Sequence, residues 1–151
     1  MLDDVKDALR RHETGEALAK ARAAVQAQPG NAEAHHLLGL ALRADGHPDN
    51  ARASFDQAIA LAPHNAAYQV SAAGLSLAEG DRARAQQELD AAIAVDPNQV
   101  AAYVMAAHLA LTRGEMAEAE RLLKLATLIN PNHPHVMVTL GHLETQRGNH
   151  D

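Results

Sequence analysis

Ten histidines stand out among the residues able to do chemistry, in a chain that has no cysteine. His133, His135 and His142 gather near one end, and His35 and His36 adjoin earlier. Imidazole binds metals and titrates near neutrality, so such a set could hold an ion or sense pH. A helical metal site needs ligands at i and i+4, or an equivalent convergence. His135 and His142 stand at i and i+7, about 10 Å apart along a helix axis, which is too far to share one ion. No metal and no cofactor is expected. The plain reading is of histidines that are solvated or line a groove. The sharper one is a groove whose binding responds to pH. Ser54, Ser71 and Ser76 fall at helical spacings, and there is no phosphate-cradling glycine loop, nucleophile elbow or zinc-protease helix motif. The residues point to no enzyme activity.

Bulk properties narrow the classes further. The absence of cysteine removes disulfides, thiolate zinc sites and a cysteine nucleophile, and suits a reducing compartment. A net charge of −6 disfavours general binding to nucleic acid or anionic membranes, though a local basic patch is compatible with it. The first residues are charged from Asp3 and carry no apolar core, so they are no signal peptide. No apolar run has the length of a membrane span. A cytoplasmic location is expected, with a removed targeting segment left open. Arg outnumbers Lys ten to three and Ala is abundant, a bias read as a GC-rich bacterial source. With 2% aromatic residues, the core must be built from Ala, Leu, Val and Ile. Asp3, Asp4, Asp7, Glu115, Glu118 and Glu120 read as solvated outer faces.

The elements that would position these side chains follow one period. Pro29, Pro63, Pro97 and Pro131 recur every 34 residues, as do Gly46, Gly80, Gly114 and Gly148. Ala17, Ala51, Ala85 and Ala119 keep the interval, and so do Ala24, Ala58, Ala92 and Ala126. One period in several columns marks a repeat array. Apolar spacing and turn residues predict helices over 2–11, 16–28, 32–44, 48–61, 66–79, 82–95, 100–113, 116–129 and 134–147, with a turn at Gly148 and no strand. The first turn looks irregular, because the glycine falls at Gly15 where the period would place one at His12. A single array is expected: a partial unit at 1–31, full units at 32–65, 66–99 and 100–133, and half a unit at 134–151.

These columns resemble the tetratricopeptide repeat, a helix–turn–helix unit of the same period. The matching residues are Leu38-Gly39, Ala72-Ala73, Ala106-Ala107 and Leu140-Gly141, the turn glycines, the alanine columns, Phe55, Leu89 and Leu123, and the closing prolines. The departures are at the aromatic places. His35, Gln69, Tyr103 and Met137 stand where that family favours Trp, and Leu42, Ser76, Ala110 and Glu144 where it favours Tyr. Pentatricopeptide repeats, which read RNA, have a period one residue longer, and the acidic balance and scarce aromatics argue against them. The resemblance implies an all-α, right-handed superhelical solenoid whose first helices line the concave face.

Stepping along each first helix by three and four residues then gives an inner stripe. It holds Glu33, His36, Leu40 and Arg43, then Val70, Gly74 and Leu77, then Val104, His108 and Leu111, and finally His135, Val138 and His142. Family members that clamp the carboxylates of chaperone tails carry Lys, Asn and Arg along this stripe. Arg43 is the sole such cation in the full units, so an apolar or aromatic peptide, or a neighbouring helix, suits the stripe better. Ordinary packing between first helices is the competing reading of its valines and leucines. The expected function is a protein–protein interaction module that holds a partner peptide or helix in the concave groove, without nucleic acid and without membrane insertion. Alternatives are the N-terminal recruiting arm of a larger enzyme, such as a glycosyl- or sulfo-transferase, and a homo-oligomerising structural array. The last helix carries Val136, Met137, Val138, Leu140 and Leu143 on nearly every side, whereas a terminal capping helix shows a polar outer face. The chain is therefore expected to be an excised piece of a longer protein, with an apolar C-terminal end that invites a homodimer.

Overall fold

The structure, a computed structural model, describes residues 1–150, with side chains described through Gly148. Among these residues there are nine helices and no strand. They are α1 (Leu2–Arg10), α2 (Thr14–Ala27), α3 (Ala32–Ala44), α4 (Pro48–Leu61), α5 (Ala66–Ala78), α6 (Arg82–Val95), α7 (Val100–Thr112), α8 (Met116–Ile129) and α9 (Pro134–His150). No helix is long and apolar enough to cross a membrane. Side-chain caps open several of them. The Asn31, Asn65 and Asp81 carboxamide or carboxylate oxygens accept from the backbone N–H of Ala34, Ala67 and Arg84 at 3.1–3.2 Å. Each such cap is worth about 1 kcal/mol. Pro48 and Pro134 open α4 and α9, where a missing N–H costs nothing.

Within each hairpin the turn has one geometry. The backbone N–H of Glu13, His47, Asp81 and Glu115 donates to the carbonyl of Ala8, Leu42, Ser76 and Ala110 at 2.8–2.9 Å. The residue before each donor is left-handed: Gly46, Gly80 and Gly114 at φ of +83°, +78° and +75°, and His12 at +59°. The first turn is thus regular, contrary to the expectation drawn from Gly15. Its left-handed position belongs to His12, at a cost of about 1–2 kcal/mol for a residue with a Cβ, while Gly15 sits in the first turn of α2. Gly148 departs in the other direction. The expected turn is absent, and α9 runs helical through it to His150. Elsewhere a second helix packs back and holds the left-handed turn; among the described residues none packs back on α9, and a helical glycine costs only about 1 kcal/mol.

Hairpins stack through their first helices. Each second helix packs on the next first helix, α2 on α3, α4 on α5, α6 on α7 and α8 on α9; the backbones of first helices also come close to one another, α1 to α3, α3 to α5, α5 to α7 and α7 to α9, whereas those of second helices do not. Helices that touch lie on the shorter side of a curved stack, so the first-helix side is the inner one. Alanines permit the close approach: Ala17, Ala51, Ala85 and Ala119 are fully buried, and Ala24, Ala58, Ala92 and Ala126 nearly so. Between the two columns sits one large apolar residue per unit, Phe55, Leu89 or Leu123. Its size matches the first helix opposite. Phe55 lies on Gly39, where an added Cβ would come within 2.4 Å of the ring. The units that carry Leu89 and Leu123 have Ala73 and Ala107 in that column.

One polar cluster interrupts the apolar stack. Arg52 on α4 donates to Glu88 Oε2 on α6 at 3.0 Å and to Ser76 Oγ on α5 at 2.7 Å, and the Ser76 hydroxyl donates to the other Glu88 oxygen. The Arg52 and Glu88 side chains are each only 12% exposed. Arg52 also lies 3.9 Å from Glu79. That last pairing recurs every 34 residues with different charges. Arg113 donates to Gln86 at 3.3 Å, and Arg147 bonds Glu120.

Two predictions rest on this packing. Gly39→Ala should destabilise the fold by about 1–3 kcal/mol through overpacking, and adding Phe55→Leu should recover most of it, as measured by urea unfolding. Glu88→Ala should cost roughly 3–5 kcal/mol because it strands the Arg52 charge. The triple variant Arg52→Met, Ser76→Ala, Glu88→Leu should unfold at nearly the parent urea concentration.

Candidate functional site

The first helices bring part of the inner stripe together at one place and leave the rest outside it. Leu77 of α5, Val104 and His108 of α7, and His135, Val138 and His142 of α9 line one open cavity of about 440 Å³. Ala101, Met105, His133 and Thr139 complete its wall, and the stripe had not included them. Val104 shows the cavity only an edge, being 7% exposed, whereas Val138 is 56% exposed. Leu111, expected in the groove, is 4% exposed and packs in the core beside α8. The other stripe residues lie further along. Glu33 is held by Lys6 at 2.5 Å, and this contact keeps the Lys6 ammonium pKa above its ordinary value. The Arg43 guanidinium lies over Gly74, the glycine having no side chain to exclude it. Leu40 and Val70 are half-buried against the two core clusters.

The cavity is apolar with an imidazole rim. Its lining contains no carboxylate, lysine or arginine. His108 and His142 face each other with ring centroids 6.3 Å apart, and His133 and His135 do so at 5.7 Å. The His133 Nδ1 is buried without a hydrogen-bond partner. Among the described residues no three His, Cys, Asp or Glu side chains converge as metal ligands would. The cavity can therefore take an apolar side chain on its floor and exchange hydrogen bonds at its rim.

His36 is of another kind. It is wedged between Tyr68 and Phe55, with centroids 4.6 and 5.8 Å away, and its Nε2 sits 2.7 Å from the Ser71 hydroxyl. Burial lowers its pKa to about 4, with the Glu33 charge opposing. It is a half-buried ring, neutral at pH 7, rather than an open groove residue. Two further ring contacts escaped the sequence reading. The His35 Nε2 lies 2.7 Å from the Pro29 carbonyl, and the Tyr103 hydroxyl donates to the Pro97 carbonyl at 2.7 Å. Both ring residues stand six places after a closing proline, in one column of the period. Their signal was a polar-tipped ring where the repeat favours an aromatic.

The half-buried His36 makes stability depend on acid. Its folded pKa lies below the unfolded value near 6.5, so the unfolded chain binds more protons between those values. Stability from this residue is full above pH 6.5 and is lost as pH falls towards 4, by up to about 3 kcal/mol. Urea unfolding at pH 7.5 and 4.5 should show a smaller difference for His36→Gln than for the parent. Equal differences would show that His36 is not the group responsible.

The repeat pattern and the stack agree with comparisons to known proteins. A tetratricopeptide repeat family model matches residues 76–137, and a second tetratricopeptide repeat model matches residues 32–65. No curated protein sequence matches the chain. Among solved structures, PilF of Pseudomonas aeruginosa is similar at 21% identity and a TM-score of 0.86, over 98% of this chain and 68% of that one. A thermophilic tetratricopeptide repeat protein of Thermus thermophilus is similar at 18% identity and a TM-score of 0.83, over 93% of this chain and 78% of that one. The MamA protein follows at 19% identity and a TM-score of 0.75, over 97% and 80%. At these identities the structures speak for the fold alone, an all-α helical repeat solenoid. With its period, its left-handed turns and its alanine columns, the chain belongs to the tetratricopeptide repeat family, whose arrays serve in general as protein-interaction scaffolds.

Proposed function

We propose that this chain is an adaptor that holds a peptide of a partner protein on its first-helix face, at the cavity between α5, α7 and α9. The observation that carries the reading is the make-up of that cavity. Leu77, Val104, Met105 and Val138 form an apolar floor, and four imidazoles stand around it with no charged residue in the lining. Burying one Val-, Leu- or Phe-sized side chain there contributes about 1.5–3 kcal/mol. A packed stack is already ordered, so most of the ordering entropy is lost by the peptide. The absence of lysine and arginine from the lining suits an uncharged anchor better than a carboxylate.

The test uses residues whose loss leaves the fold intact. Val138 is more than half exposed, so Val138→Asp should not unfold the chain. Displayed peptides selected on the parent chain should carry an apolar or aromatic anchor and should bind Val138→Asp at least ~10-fold more weakly, the equivalent of about 1.4 kcal/mol. Peptides that bind parent and variant alike would place capture elsewhere on the molecule.

A further inference from the structure

A second cavity, of about 590 Å³, lies where α6, α7 and α8 meet. It shares no lining residue with the cavity between α5, α7 and α9. Helix α7 turns Val104 and His108 to that one, and Tyr103, Ala106 and Ala110, on its opposite stripe, to this one. The site is internal to the array: α6 packs on α5 and α7, and α8 on α7 and α9. One and two repeats earlier, the chain's own side chains fill the same place. Gln86, Ala110 and Leu122 correspond to Arg52, Ser76 and Glu88, and before those to Leu18, Leu42 and Ser54. Arg52, Ser76 and Glu88 close it as one bonded cluster. Leu18 and Leu42 close it as part of an apolar cluster, both buried. In the third unit Ala110 is shorter than Ser76 or Leu42. The Gln86 amide is drawn to the rim, where its Nε2 donates to Asp90 at 2.9 Å and its Oε1 accepts from Arg113 at 3.3 Å. That leaves a floor of Ile93, Tyr103, Ala106, Ala110, Leu122 and Leu125. The Tyr103 hydroxyl already donates to the Pro97 carbonyl, so its ring adds apolar surface.

We propose that this cavity is a second binding site, for an uncharged leucine- to phenylalanine-sized side chain presented by a partner polypeptide. The substitutions that open it also select the occupant. Leu122 replaces Glu88 and Arg113 replaces Glu79, so a guanidinium placed like that of Arg52 would meet hydrocarbon and a like charge. A carboxylate is no better received, because Asp90, Glu115 and Glu118 stand in the lining. The two lining cations are already engaged. Arg121 donates to Glu118 through two nitrogens, at 2.9 and 2.6 Å, and Arg113 is linked to Asp90 through Gln86. Glu115 stands at the start of α8, where the helix dipole favours it. The rim is thus paired within itself over an apolar floor. An uncharged side chain gains from burial there and strands no charge.

The chain has no cysteine, so Ala94→Cys places a unique thiol at an exposed position on the cavity wall. The probes are the peptides acetyl-Cys-Gly-Phe-amide, acetyl-Cys-Gly-Lys-amide and acetyl-Cys-Gly-Glu-amide. Each is equilibrated with the variant in a thiol–disulfide buffer, and the mixed disulfide is quantified by mass spectrometry. Ala60→Cys, the exposed counterpart one repeat earlier on the helix that carries Arg52, is the reference. Relative to the Lys and Glu peptides, the Phe peptide should be favoured at least ~10-fold more in Ala94→Cys than in Ala60→Cys. Adding Ala110→Leu, which copies Leu42, should abolish that preference while the urea midpoint stays at or above that of Ala94→Cys alone. Gln86→Leu, which copies Leu18, is a second filler and should do the same. Equal preferences at the two thiols would overturn the proposal, as would selection of the Lys or Glu peptide, or a Phe preference that survives both fillers. If light scattering shows the parent chain self-associating and either filled variant monomeric, a second copy is the occupant and the partner proposal fails.

Discussion

How closely two helix backbones can approach governs this molecule. Each unit has two alanine columns with essentially no exposure, and one large apolar residue between them. A side chain larger than a methyl in either column would part the helices and empty the layer of leucines and the single phenylalanine behind it. With so few aromatics, no single residue holds the fold. Stability is distributed over repeated interfaces, each hairpin covered by its neighbour. The left-handed turns serve the same constraint, because they fold the second helix back at the angle that close packing requires.

What was legible in the sequence was whatever recurs. The period, the turn glycines and the alanine columns each appear several times, so their physical meaning could be checked against one another before any coordinates. Helix ends were within a residue or two of the observed ones except at the end of α9. The failures are single-copy features. His12 occupies a left-handed turn that composition assigns to glycine. Gly148 is helical because a turn needs something to pack back. The Arg52–Ser76–Glu88 cluster has no counterpart in other units; Ser76 showed only as a replaced aromatic, Arg52 and Glu88 carried no signal, and three separate helices bring them together. A cluster of that kind depends on tertiary placement alone.

The inner stripe was legible as a direction and not as a surface. Helical stepping by three and four residues picks out one face, and six of its residues do meet at one cavity. It cannot tell a half-covered side chain from a covered one. Leu111 and Val104 are deep because α9 and α8 close over them, whereas Val138 on the last helix has no following first helix beside it among the described residues. His36 shows the same limit in electrostatic form. Its sequence neighbours mark it as another groove imidazole, but Tyr68 in the next unit, together with Phe55, covers part of the ring. The stripe's other imidazoles, His108, His135 and His142, are exposed near the end of the stack, where coverage thins.

The alternating pairs between successive hairpins bear on how such a gene can change length. Copies of a 34-residue segment invite unequal recombination, which deletes or duplicates whole units. Loss of residues 66–99 would set α4 against α7 and α8, leaving Arg52 facing Arg113 and Leu122 in place of Glu79 and Glu88. Loss of residues 100–133 would instead bring Gln86 to Arg147, a close copy of the pairing with Arg113 that it already makes. The two deletions remove the same length of chain and leave the same period, yet only the second preserves compatible neighbours. The order of units is therefore written in charge as well as in shape, and it biases which shortened descendants of this array would still fold.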